Sequence, residues 1–347
     1  MSKPMGSLGS QINTAFSNLL KLFGISQRSV ETPVTPPAPK PEPVLEPARM
    51  VTSRVLLVIF DPVMDPFNGE RLSHKMNWRS VDDLVAGFIS DIADTSRGLV
   101  RYQVVERIEL NEFPAKTDGF HYDPLTIMAV LTGGVPHSPA MVDYHAILTE
   151  FNILERVNKR EIDEVWLFAY PHAGFYESRM AGKGAFWCNS PELENTSSCS
   201  RKFVLMGFSY ERQVGEMLES FGHRSESILT RTFESMSYGE NLFDRFSRHE
   251  EQNPGQAEVG SIHFAPNSES DYDWNNTRLV PSHCDDWIHF PAAPGPARQV
   301  NSDEWGNGDI RLHHKWWLRH LPKVAGRTRG VANNWWQYIM DPNLIDL

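Results

Sequence analysis

Apolar and polar positions alternate in blocks along most of this chain. Arg54-Val-Leu-Leu-Val-Ile-Phe60 is a continuous apolar run closed by Asp-Pro, the pattern of a strand buried on both faces. Ser80 then precedes a helical periodicity over Val81 to Ala93, and Leu99 to Leu110, rich in Val, Tyr and Ile, predicts a second strand. Met141 to Val157 reads as helix, and Glu164 to Tyr170 and Lys202 to Phe208 as strands. Ser209 is placed to cap a helix running to about Arg231. Strands alternating with helices predict an α/β fold built on a layered, at least partly parallel sheet, with sites gathered at the edge where strands end. From about Asn253 the texture shifts to Gly, Pro, Asn, Asp and Trp, which predicts a loop-rich, Trp-rich C-terminal region packed on that body.

The first fifty residues follow a different rule. Ile12, Phe16, Leu19, Leu20 and Phe23 recur at helical spacing, so residues 1–30 read as a leader containing a short amphipathic helix over 11–25. Residues 31–50 are a proline-dense spacer that cannot pack, and 51–347 form a single body. A sticky helix on a stiff tether predicts docking onto a particle, a shell or a secretion-apparatus component, with the body delivered as cargo or effector.

Composition narrows the choices. The 347 residues carry a formal charge of −11 with no Lys/Arg-rich run, which argues against nucleic acid as a partner. No apolar run is long enough to span a bilayer. The N-terminus lacks the pattern of a secretory signal, so the expectation is synthesis in the cytoplasm followed by packaging or non-classical export. Of three cysteines, Cys188 and Cys199 are spaced to close a small ring in an oxidising compartment, or to remain reduced and packed, and Cys284 stays free.

The densest chemistry lies in Glu216-Met-Leu-Glu219-Ser-Phe-Gly-His223-Arg-Ser-Glu226. At about 100° per residue, Glu216, Glu219, His223 and Glu226 fall within roughly 80° of helical arc. Three carboxylates on one stripe repel unless a cation sits among them, although a solvated amphipathic face has the same pattern. Glu219-Ser-Phe-Gly-His223 resembles the HExxH helix of zincin metallopeptidases, with Glu219 in place of the first histidine and Ser220 in place of the general base. That resemblance implies zinc held by Glu219 and His223, with Glu216 or Glu226 handling the proton. The third ligand is expected from His263, then from His283 or Asp285.

Other segments carry secondary signals. The loop after the third strand holds His172, Glu177 and Arg179 among glycines and aromatics, a composition suited to binding substrate. Asp271-Tyr-Asp273-Trp-Asn275 opens like a calcium loop but lacks its glycine and closing glutamate, which makes calcium the alternative cation. Half of the ten tryptophans fall between 305 and 336, where the pairs Trp316-Trp317 and Trp335-Trp336 either anchor a core or, if exposed, make a stacking platform.

Gly184-Ala-Phe-Trp-Cys-Asn-Ser190, the helix from Val214 to Ile228 and His313-His-Lys-Trp-Trp-Leu-Arg-His320-Leu-Pro are together similar to a family of uncharacterised, often secreted bacterial and fungal proteins. The likeness extends over most of residues 52 to 345 and implies one compact unit without implying a reaction. The sequence therefore predicts first a metal-dependent, peptidase-like hydrolase acting on a peptide or glycan. The rival reading is a non-catalytic module that presents Trp and Tyr to a glycan or protein. A third reading, acyl transfer by Cys188 or Cys284 with a nearby histidine, needs a thiol of low pKa.

Overall fold

A computed structural model describes residues 48–237 and 239–345; the expected leader helix over 11–25 and most of the proline-rich spacer lie outside the described residues. The body is built on a five-stranded sheet of β1 (Val51–Phe60), β2 (Val100–Leu110), β3 (Glu164–Ala169), β4 (Ser178–Ala181) and β5 (Phe203–Ser209), in the order β2-β1-β3-β5-β4. The first four in that order run parallel, with Ile59 opposite Phe168 and Phe168 opposite Phe208. Only β4 is antiparallel, at one edge. This is the layered, largely parallel α/β fold that the alternation of strands and helices predicts.

Position in the sheet explains composition. Val55 to Phe60 of β1 and every residue of β3 are buried, as continuous apolar runs between two covered faces must be. At the opposite edge β2 turns Arg101, Gln103, Glu106 and Arg107 outward, three charges and an amide that discourage pairing with another chain.

Three helices pack over this frame: α1 (Val81–Thr95), α2 (Val214–Phe233) and α3 (Ile310–His320). Phe88 of α1 and Phe221 of α2 meet at 6.0 Å, and Phe88 lies 5.3 Å from Trp166 and 5.6 Å from Phe208, so both helices share one sheet face. α3 is tied to α1 through Asp91, 2% exposed, which accepts from Arg311 at 2.6 Å and Lys315 at 2.7 Å.

The orientation of α2 is fixed by a buried ion pair. Glu164, the first residue of β3, lies 2.7 Å from Nη1 of Arg224, and both are about 1% exposed. Trp166 Nε1 donates to the same carboxylate at 2.8 Å, and Arg224 Nη2 donates to the carbonyl of Ile339 at 3.0 Å in the short helix α4 (Trp336–Met340).

Several local expectations are corrected. The segment 141–157 is two short helices, Tyr144–Glu150 and Ile153–Asn158, because Asn152 adopts φ 49° between them. Ser209 ends β5 and does not cap α2; Gln213 does, in a reciprocal capping box with Glu216. The C-terminal region is loop-rich over 253–309 but then forms α3, whose His313, His314, Trp316 and Trp317 are all buried. Trp335 and Trp336 are also buried, so both pairs anchor the core, the first of the two readings, and neither offers a stacking platform. All three cysteines are unpaired and buried, which is the reduced, packed alternative and not the ring between Cys188 and Cys199. No helix among the described residues is long and apolar enough to cross a membrane.

Removing one partner of a buried ion pair leaves the other charge uncompensated. Arg224→Met is expected to lower unfolding free energy by about 3 kcal/mol or more in urea titrations, with part of the loss recovered by adding Glu164→Gln. A loss below about 0.5 kcal/mol would show that the pair does not anchor α2. Burial holds His313 at a pKa of about 3 and His314 well below the ordinary value of 6.5, with neighbouring imidazoles adding to the effect. The unfolded chain takes up these protons near pH 6.5 and the folded chain only at lower pH, so stability should be lost as pH falls through that window. For His313 alone the loss is about 2 kcal/mol at pH 5. Tm measured against pH, with His313→Gln shallower than wild type, checks it.

Candidate metal centre

α2 follows β5 at the edge where the parallel strands end, and from its first turns there it runs back along the sheet until Arg224 meets the first residue of β3. With Arg224 held against β3, the neighbouring stripe of α2 turns Glu219 and His223 toward the segment that carries His263. The three side chains offer ligand atoms that all lie within 4.8 Å of one another. His263 Nε2 is 3.0 Å and His223 Nε2 4.0 Å from the same Glu219 oxygen.

Each imidazole is supported from behind by a carboxylate. His223 Nδ1 lies 3.2 Å from Glu226 Oε2, and His263 Nδ1 lies 3.0 Å from Asp271 Oδ1. This carboxylate–histidine arrangement orients both rings so that each Nε2 faces Glu219, and at 3.0 Å Nε2 of His263 donates to the Glu219 oxygen, the nitrogen a metal would take over on release of its proton. Glu226 does more than orient one ring, because its other oxygen accepts the amide of Ile262 at 2.8 Å and fastens the segment bearing His263 to α2.

Gly222 allows that segment to approach. A Cβ at this position would lie 2.3 Å from Cδ1 and 2.4 Å from Cγ1 of Ile262. A glycine inside a helix costs about 1 kcal/mol relative to alanine, and here it provides close contact between helix and loop.

Electrostatics follow the same geometry. Burial works to raise the Glu219 carboxyl, but His263, His223 and Tyr272 outweigh it and hold the group below the usual carboxylate range. Burial works to lower His223, yet Glu226, Glu177 and Glu219 raise it above the ordinary value. The cluster stabilises positive charge at its centre. Tyr272 closes one side, its ring 4.3 Å from that of His263, its amide donating to the His263 carbonyl at 3.2 Å, and its hydroxyl pushed up to about 12 chiefly by burial.

Beside the cluster lies a cavity of about 280 Å³ between the loop after β3, the end of β5 and the first turns of α2. Its lining includes His172, Glu177, Arg212, Glu216 and Ser220. Glu219, His223 and His263 are not among the lining residues, so cavity and cluster are neighbours, with Glu177 near enough to His223 to act on its charge. Glu177 is held by Asn189 Nδ2 at 2.7 Å. The cavity wall is fixed by Lys116, 1% exposed, whose ammonium donates to the carbonyls of Ala140 at 2.6 Å, His172 at 2.6 Å and Ala173 at 2.8 Å. Burial lowers its pKa to about 8.

The expected site residues thus divide by position. Glu219, His223 and His263 converge, and Glu226 stands behind them engaged with His223 and Ile262 in place of a free base. Glu216 accepts the Gln213 amide at 3.0 Å while lining the cavity. His172 and Glu177 line the cavity as well. Arg179 does not; it donates to the carbonyls of Pro191 and Glu192 and stacks on Tyr144 and Tyr176, fastening a loop. Asp285 belongs to a separate cluster with Cys284 and His320, whereas His283 lies 3.9 Å from Asp286. Asp271 faces His263 whereas Asp273 accepts from the Glu269 amide and Asn276, so these two carboxylates turn to different partners. Burial pushes the thiols of Cys188 and Cys284 up to about 11, opposite to what a nucleophilic cysteine requires. Asp271 and Tyr272 are the site neighbours that spacing did not reveal, since nothing periodic links them to α2.

No protein family, curated protein or solved structure matches this chain. The likenesses to a zincin helix and to an uncharacterised family rest on the residues quoted for them.

Gly222→Ala is expected to leave the fold intact while displacing the segment of His263. Zinc affinity, read by competition with a chromophoric chelator, should fall about 10- to 100-fold, the range for loss of ligand support. Unchanged affinity would mean that the approach of Ile262 to the helix does not set the cluster.

Proposed function

We propose that the protein is a metal-dependent hydrolase in which Glu219, His223 and His263 hold a zinc ion. The observation that carries this reading is the pair of histidines, each backed at Nδ1 by its own carboxylate and each turning Nε2 toward one buried glutamate. Two imidazoles and a carboxylate match a catalytic zinc set, which leaves one coordination position for water and lowers the pKa of that water toward about 7.

The remaining roles fall to the surrounding residues. Glu177, on the cavity side of His223, is the carboxylate placed to accept a proton, a role for which Glu226 is less suited because both of its oxygens are engaged. Glu226 and Asp271 orient the imidazoles. His172 and Arg212 line the cavity together with Glu177 and Glu216 and present polar groups and charges of both signs to a substrate, which suits a peptide-like molecule. The amphipathic period of residues 11–25 supports delivery of this body as cargo or effector to a particle, shell or secretion component.

Metal content of the purified full chain, by plasma mass spectrometry, is the direct test. His223→Ala should lose one equivalent of zinc relative to wild type, and Glu177→Gln should keep that zinc while losing about 100-fold or more in turnover of a responsive peptide or ester. Equal zinc in wild type and His223→Ala would overturn the assignment of the ligands. Full turnover in Glu177→Gln would overturn the assignment of the base alone.

A further inference from the structure

A second group of ligand-type side chains lies away from α2. Cys284 and Asp285, at the start of the one-turn helix Asp285–Ile288, and His320, the last residue of α3, offer ligand atoms within 4.8 Å of one another. Cys284 is fully buried and His320 is 3% exposed.

The tautomer of His320 is set by its surroundings. Its Nδ1 lies 2.7 Å from the carbonyl of Trp316, which can only accept, so the proton is on Nδ1 and the lone pair is on Nε2. That Nε2 is buried and has no hydrogen-bond partner. A buried acceptor left unpaired costs about 1–3 kcal/mol, and Nε2 is the nitrogen left to meet Cys284 and Asp285.

From this geometry we infer a second metal site, formed by Cys284, Asp285 and His320, for a thiophilic divalent ion of the zinc type. Sulfur, imidazole and carboxylate are the donor classes such an ion takes, with water completing four-coordination on the half-exposed side of Asp285. Arg298 is the group that must be accommodated. It donates to Asp285 at 2.7 and 3.0 Å, stands 3.6 Å from the sulfur and is paired on its other side with Glu304. Two carboxylates and one guanidinium leave this group with a negative charge, and a divalent ion bound to a thiolate brings it to neutrality. On binding, the thiol proton passes to solvent, one Asp285 oxygen goes to the metal, and Arg298 keeps the other together with Glu304. The ion would join the end of α3 to the turn after Ser282.

The inference is independent of the centre on α2, which contains no sulfur. The test loads chelator-stripped full-length protein with Co²⁺ and records near-ultraviolet absorption, where thiolate-to-cobalt charge transfer reports a Cys ligand. The band is expected in wild type, retained in His223→Ala and lost in Cys284→Ser and His320→Gln, with far-ultraviolet circular dichroism verifying that the variants are folded. Absence of the band in cobalt-loaded wild type would overturn the site, whether or not the variants fold. A band that persists in Cys284→Ser would overturn it equally. A band without any loss of metal in His223→Ala would leave this site standing and remove the first, and the converse pattern would do the reverse.

Discussion

A single ion pair inside the protein determines what α2 can present. Glu164 and Arg224 are both removed from water, and such a pair gains little over an apolar contact of equal volume. What it provides is direction. A guanidinium in a dry interior has one place where its charge is tolerable, here against Glu164 and over the ring of Phe221, so α2 cannot rotate about its axis without parting Arg224 from Glu164. Because Arg224 follows His223 directly, fixing one fixes the other. Trp166, Tyr102 and the Ile339 carbonyl join the pair, so strand, helix and C-terminal segment agree on a single arrangement.

The outward consequence is a hierarchy of support around Glu219. Nearest to it are two imidazoles, behind these two carboxylates, and behind Glu226 the backbone of the segment that supplies one of the imidazoles. Glu226 therefore acts on both rings, on His223 by direct contact and on His263 through the amide of Ile262. Gly222 sets how close the two segments come. Glu219, His223 and Glu226 stand on a helix, and the loop that carries His263 is fastened to it through the Ile262 amide, which gives more accurate placement than a free loop.

Much of the frame was legible along the chain because burial on both sheet faces demands apolar runs, and β1 and β3 have them. The stripe on α2 was legible for a similar reason: helical periodicity converts spacing into proximity. The support behind it was not, since Asp271 and Tyr272 approach His263 through a turn with no period, and Tyr272 itself adopts φ 61° there. The break at Asn152 is not legible in one dimension, because an asparagine that adopts the left-handed region looks there like any polar helix residue. Arg179 misled for a different reason. A cation in a glycine-rich loop reads as a binding group, yet its guanidinium found two carbonyls and two aromatic rings of the protein itself. His320 and Cys284, 36 positions apart, share no periodicity, and only the end of α3 brings them together.

Lys116 gives the cavity a character of its own. Three carbonyls from two separate loops converge on one ammonium, much as they would on a captured alkali cation, but this cation is covalently part of the chain. The loop at His172 and Ala173 is consequently ordered when the protein folds, before any molecule arrives. A wall assembled in advance requires little loss of entropy on binding and bends little to fit. A molecule entering this cavity would meet a shape already present, with no closing motion needed to make the wall.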